Sequence, residues 1–403
     1  MCGGDPSHDP TRRGFLQALG AGTAAMGLGA VAMAQQQVIP GFEKTAADAD
    51  SARGWQPVSD RRIRVGLVGY GVCRFAAAFS FQDHPNVEIA AVSDLIPDRC
   101  AGLAKAARCE KTYPSLEEMV KDDRIEAVFV ATDAPGHAKH CIEVLKHGKH
   151  VACAVPACFG SIEEGEQLFE AVKAAGGLKY MMFETSYYHN DLHAMRTIYR
   201  AGGLGKLVYA EGEYYHYMAE PIDSFKGWRV GLPPQFYPTH SNAYYVGVNG
   251  ERFTEVSCMG MPSTIEHLKP ANNVYKNPFG TEIALFRTSE GGSARMAVSW
   301  DTPGYGGEMG RIRGQKGSYY GKYEGLMKTL PDTKRPPLPP GIDPGSHGGS
   351  HGHLTEEFVR AILEDRTPLC DIAQALNMTA AGIIAHQSAL KDGELMKIPQ
   401  YQL

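Results

Sequence analysis

The sequence predicts two domains in series: an α/β domain on a parallel sheet, then an α+β domain on an open, mostly antiparallel sheet. Three observations predict it. Between residues 62 and 185, short apolar runs alternate with helical stretches. Those runs are apolar throughout, the mark of strands covered on both faces. After Thr185, strands with alternating polarity follow one another without intervening helices. A length of 403 residues fits two domains.

The first-domain strands are RIRVGLVGYG (62–71), VEIAAVSD (87–94), EAVFVAT (126–132), KHVACAVP (149–156) and KYMMFET (179–185). Helices are expected over 75–81, 99–107, 137–147 and 163–175. The first strand runs into Gly69-Tyr70-Gly71-Val72-Cys73-Arg74. Two glycines there suit a tight turn and close approach of backbone to a pyrophosphate. Arg74 takes the third place of GxGxxG, either touching the pyrophosphate or lying on the helix surface. Asp94 ends the next strand, 23 positions after Gly71. A carboxylate there accepts from ribose hydroxyls and repels a 2′-phosphate, so NAD is expected over NADP. This makes the domain a Rossmann dinucleotide fold, with Gly69, Gly71, Val72, Cys73, Arg74, Asp94 and Thr132 as cofactor-binding candidates. The bland alternative is a doubly wound domain with no dinucleotide.

In the second part, a helix is expected over 191–207, then strands near 208–218, 253–261, 281–289 and 293–302. Segments 354–365 and 371–391 have helical spacing with apolar core positions such as Phe358, Ile362, Leu376, Ile383 and Ile384. The expected domains are 61–185 and 186–403.

Composition is that of a globular chain, with 43% hydrophobic and 21% charged residues. A net charge of −5 without a basic block argues against nucleic acid. Thr11-Arg12-Arg13-Gly14-Phe15-Leu16 resembles a twin-arginine export motif, and a soft apolar run leads to Ala32-Met33-Ala34. Residues 1–34 are therefore expected to be a cleaved signal peptide and 35–60 a linker. That run is short for a membrane span, and no later segment is a candidate. The mature protein is expected in the periplasm or outside the cell, not in the membrane. Nine cysteines are present without a CxxC pair, and most body cysteines read as small buried hydrophobes.

ATDAPGHAKHCIEVLKHGKHVACAVPA (131–157) resembles the segment of the glucose–fructose oxidoreductase/inositol dehydrogenase (Gfo/Idh/MocA) family that ends in Glu-Lys-Pro. The resemblance covers nearly all of 62–400. It implies the family's two-domain plan, with a free sheet face that commonly serves in homo-oligomers. It also implies cofactor contacts from Ala154-Val155-Pro156 and places His137 near the nicotinamide end, where it either contacts the ligand or caps and packs its helix. The family's lysine near the nicotinamide is Val155 here, so its common proton relay does not carry over. VPA (155–157), YPTHS (237–241), ERFTEVSCM (251–259) and HGG (347–349) are similar, in the same order, to the NAD-dependent glycoside hydrolases of this family. Those act on α-N-acetylgalactosaminides, and NAD is not consumed. The resemblance implies oxidation at C3, loss of the C2 proton, elimination of the aglycone, addition of water and return of the hydride. That offshoot has Glu where this chain has Ala154.

Oxidising a sugar hydroxyl needs a base while hydride leaves carbon. His240 is the first candidate, in a polar break ahead of a helix-like stretch. The Asp that often partners it in the family is Phe236 here, so His240 is expected to lack that partner. Tyr188, in ETSYYHND, is the second candidate, as a phenol of lowered pKa; Tyr187 and His189 are its rivals. Glu184 either orients the nicotinamide ribose or only ends a strand. HGGSHGH (347–353) tempts a zinc reading, but no thiolate or carboxylate cluster completes four ligands, so no metal is expected. The whole stretch is expected to be a flexible loop, and the resemblance implies that its first half contacts substrate. EYYHYM (213–218) is a candidate sugar platform, with half its side chains facing away if it is a strand. Three readings stand. One is an exported oxidoreductase acting on a carbohydrate or glycoside with tightly held NAD. The second is a glycosidase using NAD transiently, and the third an inactive carbohydrate-binding relative.

Overall fold

The computed structural model describes residues 51–403. The expected signal peptide and most of the expected linker lie outside the described residues. Residues 51–60 are tied to the body: Leu338 N donates to Ser51 O, and Trp55 Nε1 donates to Glu356 Oε1 at 2.8 Å.

The first sheet holds β1 (Ile63–Val68), β2 (Val87–Ser93), β3 (Thr112–Tyr113), β4 (Ala127–Val130), β5 (His150–Cys153) and β6 (Tyr180–Met182). Their order is β3-β2-β1-β4-β5-β6, and every pairing is parallel. The helices between are α1 (Phe75–Ala78), α2 (Pro97–Ala107), α3 (Leu116–Met119), α4 (His137–Lys146) and α5 (Ile162–Ala174). β4 is buried at every residue, as its unbroken apolar run requires. Ser161 starts α5 by accepting from Glu164 N at 3.2 Å. The sheet order reverses between β1 and β4. The chain exits of β1, β2 and β4, carrying Gly69, Asp94 and Thr132, therefore meet at the switch point where doubly wound sheets bind ligands.

The second part runs α6 (Asn190–Arg200), β7 (Leu207–Tyr215), α7 (Thr239–Asn249), β8 (Phe253–Pro262), β9 (Phe279–Thr288), β10 (Ser293–Ser299), β11 (Gly307–Gly314), β12 (Gly317–Tyr319), β13 (Tyr323–Gly325), α8 (His351–Leu363), α9 (Ile372–Ala389) and β14 (Met396–Lys397). Its sheet order is β13-β12-β11-β7-β10-β9-β8-β14. All pairings are antiparallel except β7 with β10. α7 lies across β7, where a side chain at Gly212 would sit 2.0 Å from Ser241 O. Only glycine permits that approach.

The structure corrects the reading around His240. Its segment is not a break: Thr239–Asn249 is one helix, and only its last residue is not buried. The second half of HGGSHGH is not loop either, because His351–His353 form the first turn of α8. All eight cysteines in the described residues are free, and all but Cys73 are buried. Among the described residues, no helix is long and apolar enough to cross a membrane.

Candidate active site

Two neighbouring cavities lie beside the carboxyl ends of the first sheet. The larger is lined by Gly69, Gly71, Val72, Cys73, Arg74, Asp94 and Thr132, which are the sequence candidates for the dinucleotide. The turn is tight: Gly69 has φ +95°, and a Cβ there would lie 2.3 Å from Ala131 O. At Gly71 the same construction meets open space. Asp94 is held by two amides, accepting from Tyr70 N at 2.7 Å and Ile96 N at 2.8 Å. Its remaining lone pairs suit ribose hydroxyls. Arg74 is exposed, has φ +52° and lies over the Tyr70 ring. A strap from the second part, with Asp223, Phe225, Trp228 and Arg229, forms the opposite wall. Arg99 reaches Asp223 of this strap at 3.8 Å. The donor set and the open approach at Gly71 fit NAD.

The smaller cavity is lined by Ala154, Val155, Thr185, Tyr214, His216, Arg229, Tyr237, His240 and His347, with Phe75, Phe79 and Phe183. Phe75 and Arg229 line both cavities, so the two are neighbours. The position of the family lysine is thus apolar wall. EYYHYM behaves as a strand should: Tyr214 and His216 face the cavity, whereas Tyr217 is 45% exposed.

His240 does not lack an acidic partner. Its Nδ1 donates to Glu184 Oε1 at 2.8 Å and lies 3.6 Å from Glu308 Oε1. Glu308 is fixed by Ser186 Oγ, which donates to its Oε2 at 2.6 Å, and His189 Nε2 lies 3.3 Å away. Burial opposes a charge on His240, but the two carboxylates outweigh it and raise its pKa to about 9. Burial likewise works against the Glu184 charge, yet His240 and the Ser186 amide keep its pKa lowered. At neutral pH His240 is therefore an imidazolium, a hydrogen-bond donor and acid, rather than the free base expected. Glu184 belongs to this pair and not to a ribose.

Glu184, His240 and Glu308 offer ligand-type atoms within 4.8 Å of one another. The 2.8 Å contact has the length of a charge-assisted hydrogen bond. The histidines of 347–353 do not join the trio in one centre. His353 stacks on Tyr188 at 5.3 Å, while His347 and His351 bond to each other.

Two further candidates are corrected. Tyr188 does not line the cavity of His240. It is stacked against His193 and His353, and burial raises its pKa instead of lowering it. Its rival Tyr187 is also buried, donating to Gln374 Oε1 at 2.7 Å. His137 is turned into the protein, with Nδ1 donating to Pro156 O at 2.8 Å and Nε2 3.3 Å from Thr132 O. It braces the two loops, including Pro156, and the neighbouring His140 lines the dinucleotide cavity instead. The sequence reading missed Glu308, Arg229, Tyr237 and Phe75. The first sits in the glycine-rich GYGGEMG, where nothing local marks it.

Residues 63–183 match the model of the oxidoreductase family with the NAD-binding Rossmann fold, GFO_IDH_MocA. The chain is 24% identical to a Glycosyl hydrolase family 109 protein of Saccharopolyspora erythraea, over 79% of this chain and 75% of that one. It is 25% identical to a protein of the same name from Solibacter usitatus, over 69% and 70%. In fold it resembles apo scyllo-inositol dehydrogenase from Lactobacillus casei, with a TM-score of 0.68, 16% identity and coverage of 84% and 99%. It also resembles levoglucosan dehydrogenase in complex with NADH and levoglucosan, with a TM-score of 0.67, 18% identity and coverage of 85% and 100%.

Proposed function

From the match of residues 63–183 to the Gfo/Idh/MocA oxidoreductase family, we propose an enzyme that holds NAD and moves hydride to and from a carbohydrate or glycoside. The observation that carries this reading is that Phe75 and Arg229 line both the dinucleotide cavity and the cavity of His240. Gly69, Gly71, Asp94 and Thr132 hold the cofactor, which when bound supplies hydride acceptance and return. The cavity of His240, which shares Phe75 and Arg229 with the cofactor's, would receive its reactive end. There the imidazolium, held through Nδ1 by Glu184, presents its other N–H to a substrate oxygen. That contact stabilises charge developing on the oxygen, inside a wall that excludes water. Val155 supplies no proton, so proton handling falls to the histidines.

A second reading is favoured by the likeness to Glycosyl hydrolase family 109 proteins: the hydride returns after the aglycone has been eliminated. Export folded by the twin-arginine route, to the periplasm or beyond, is supported by Arg12-Arg13 and by its logic. A cofactor scarce outside the cytoplasm is best carried out already bound and then recycled. Exposed Val208, Met259, Leu285 and Met309 on β7, β8, β9 and β11 support a homo-oligomer through the sheet face.

The test uses protein purified with its own cofactor, chromogenic glycosides and free sugars, and records NADH absorbance and aglycone release together. Lasting NADH without release identifies a dehydrogenase. Release without lasting NADH identifies the closed hydrolytic cycle. Silence in both with NAD bound contradicts the proposal.

A further inference from the structure

We propose that Arg229 is the specificity-determining residue of this cavity and that the sugar it selects carries a carboxylate: the substrate is a uronic acid or its glycoside. This deepens the redox reading above and rests on it.

The inference starts from a cation without a counter-ion. Arg229 is half-buried and lines both cavities. Among the described residues, no carboxylate forms an ion pair with it. The carboxylates nearby are engaged elsewhere: Asp223 of the same strap faces Arg99 at 3.8 Å, and Glu184 and Glu308 lie against His240. The groups around the guanidinium are instead the thiol of Cys73, the phenols of Tyr214 and Tyr237, and His240. Burial raises the pKa of the first three, so they are neutral, and the fourth is a cation. The chain as a whole carries a net charge of −5, so this positive spot is local. Taking an arginine out of water beside a second cation is costly unless an anion joins them.

The strap holds the guanidinium ready. Lys226 and Gly227 take φ of +53° and +67°, turning the chain, and Arg229 N donates to Ser224 Oγ at 3.1 Å. The guanidinium lies on the Trp228 ring at 4.2 Å, with the Tyr237 ring 5.8 Å away. Stacking fixes the plane of the group and leaves its N–H edge for a ligand. A planar fork of donors matches a carboxylate, which it holds by two parallel hydrogen bonds. Tyr237 stands between the two cations, its ring centroid 5.5 Å from that of His240. A sugar acid is thus gripped at two points, the carboxylate by Arg229 and the reacting oxygen by His240. A neutral sugar leaves Arg229 unpaired, and that difference is the basis of selection. Arg229 also lines the dinucleotide cavity, so the cofactor's pyrophosphate is the rival anion. The place of Arg229 beside Tyr237 and His240, both in the smaller cavity, favours the substrate.

The test uses NAD-loaded holoenzyme and calorimetric titration with matched pairs: methyl glucoside and methyl glucuronide, methyl galactoside and methyl galacturonide. In at least one pair the acid should bind ~10-fold or more tighter than the neutral sugar. Arg229→Met should remove that preference with NAD content unchanged. Arg229→Lys keeps the charge but not the fork, so it should keep only part of the preference, and it serves as well if the methionine variant does not fold. In single-turnover NADH formation, both variants should need more of the acid for half-maximal rate, with the neutral sugar unaffected. Neutral sugars bound as tightly as their acids, or a full preference in both variants, overturns the proposal alone. Loss of NAD from Arg229→Met does so too, by assigning the arginine to the pyrophosphate. A wild type that binds and oxidises no sugar, neutral or acidic, fails the redox reading, and the substrate class falls with it.

Discussion

Two buried histidine–glutamate pairs stand in this molecule, and they have opposite fates. His240 bonds Glu184 at 2.8 Å, and His386 of α9 bonds Glu282 of β9 at 2.7 Å. All four side chains are nearly inaccessible. Around His386 the structure closes: Phe236 packs on the ring at 4.9 Å, and Glu282 Oε2 accepts from Gln235 N at 2.8 Å. Around His240 it stays open, with a second carboxylate behind and a cavity in front. The same pair is thus a brace in one place and a proton donor in the other. Access to a cavity makes the difference. Phe236 is instructive, because it fills the sequence position of the family's acidic partner yet packs on the other histidine.

The comparison can be broken by exchanging the two fates. The largest expected effect is on stability. His386→Ala leaves the buried Glu282 with the Gln235 amide but without its histidine, which costs about 3–5 kcal/mol. Denaturant titration should show that loss, while turnover per folded molecule stays at the wild-type level. His240→Gln should cost stability too, but it should also lower the hydride-transfer rate by ~10²-fold or more, about 3 kcal/mol on the barrier. Stopped-flow NADH absorbance reads it. Asp94→Asn should weaken NAD by roughly tenfold and narrow the preference over NADP, as calorimetry with both nucleotides will show.

The pH dependence sharpens the comparison further. His240 is raised in the folded state, so its contribution to stability is complete below the ordinary histidine value and is lost as pH rises through about 9. The Tm gap between wild type and His240→Gln should accordingly shrink between pH 7 and 10. The smallest effect belongs to Arg99→Ala. Its 3.8 Å contact with Asp223 joins a partly exposed side chain to a mostly exposed one. Such a pair contributes less than ~1 kcal/mol, so NAD dissociation should quicken less than about fivefold.

The dinucleotide half was legible in the sequence because its signals are local. β1, β2, β4 and β5 are short apolar runs, and Gly69, Gly71 and Asp94 sit at fixed places after them. All three line the cofactor cavity. The other half was legible as strands, but its site was not. α7 is buried nearly all round, so no polar face marks its period. Glu308 reaches His240 only because β11 pairs with β7 and sets Glu308 opposite Tyr214. His137 and Tyr188 carry reactive side chains in promising loops, but packing turned both away from the cavities. Sequence shows which side chains are chemically able; the tertiary contacts decide which of them meet a substrate.

The central claim is that the cleft of Gly69 and Asp94 delivers a nicotinamide into the cavity between His240 and His347. A crystal structure of the protein with NADH tests it most directly. The account predicts the nicotinamide ring past Phe75, against Val155, with its reactive carbon facing His240. A nicotinamide turned outward over Trp228, with the His240 cavity closed to it, would contradict the account.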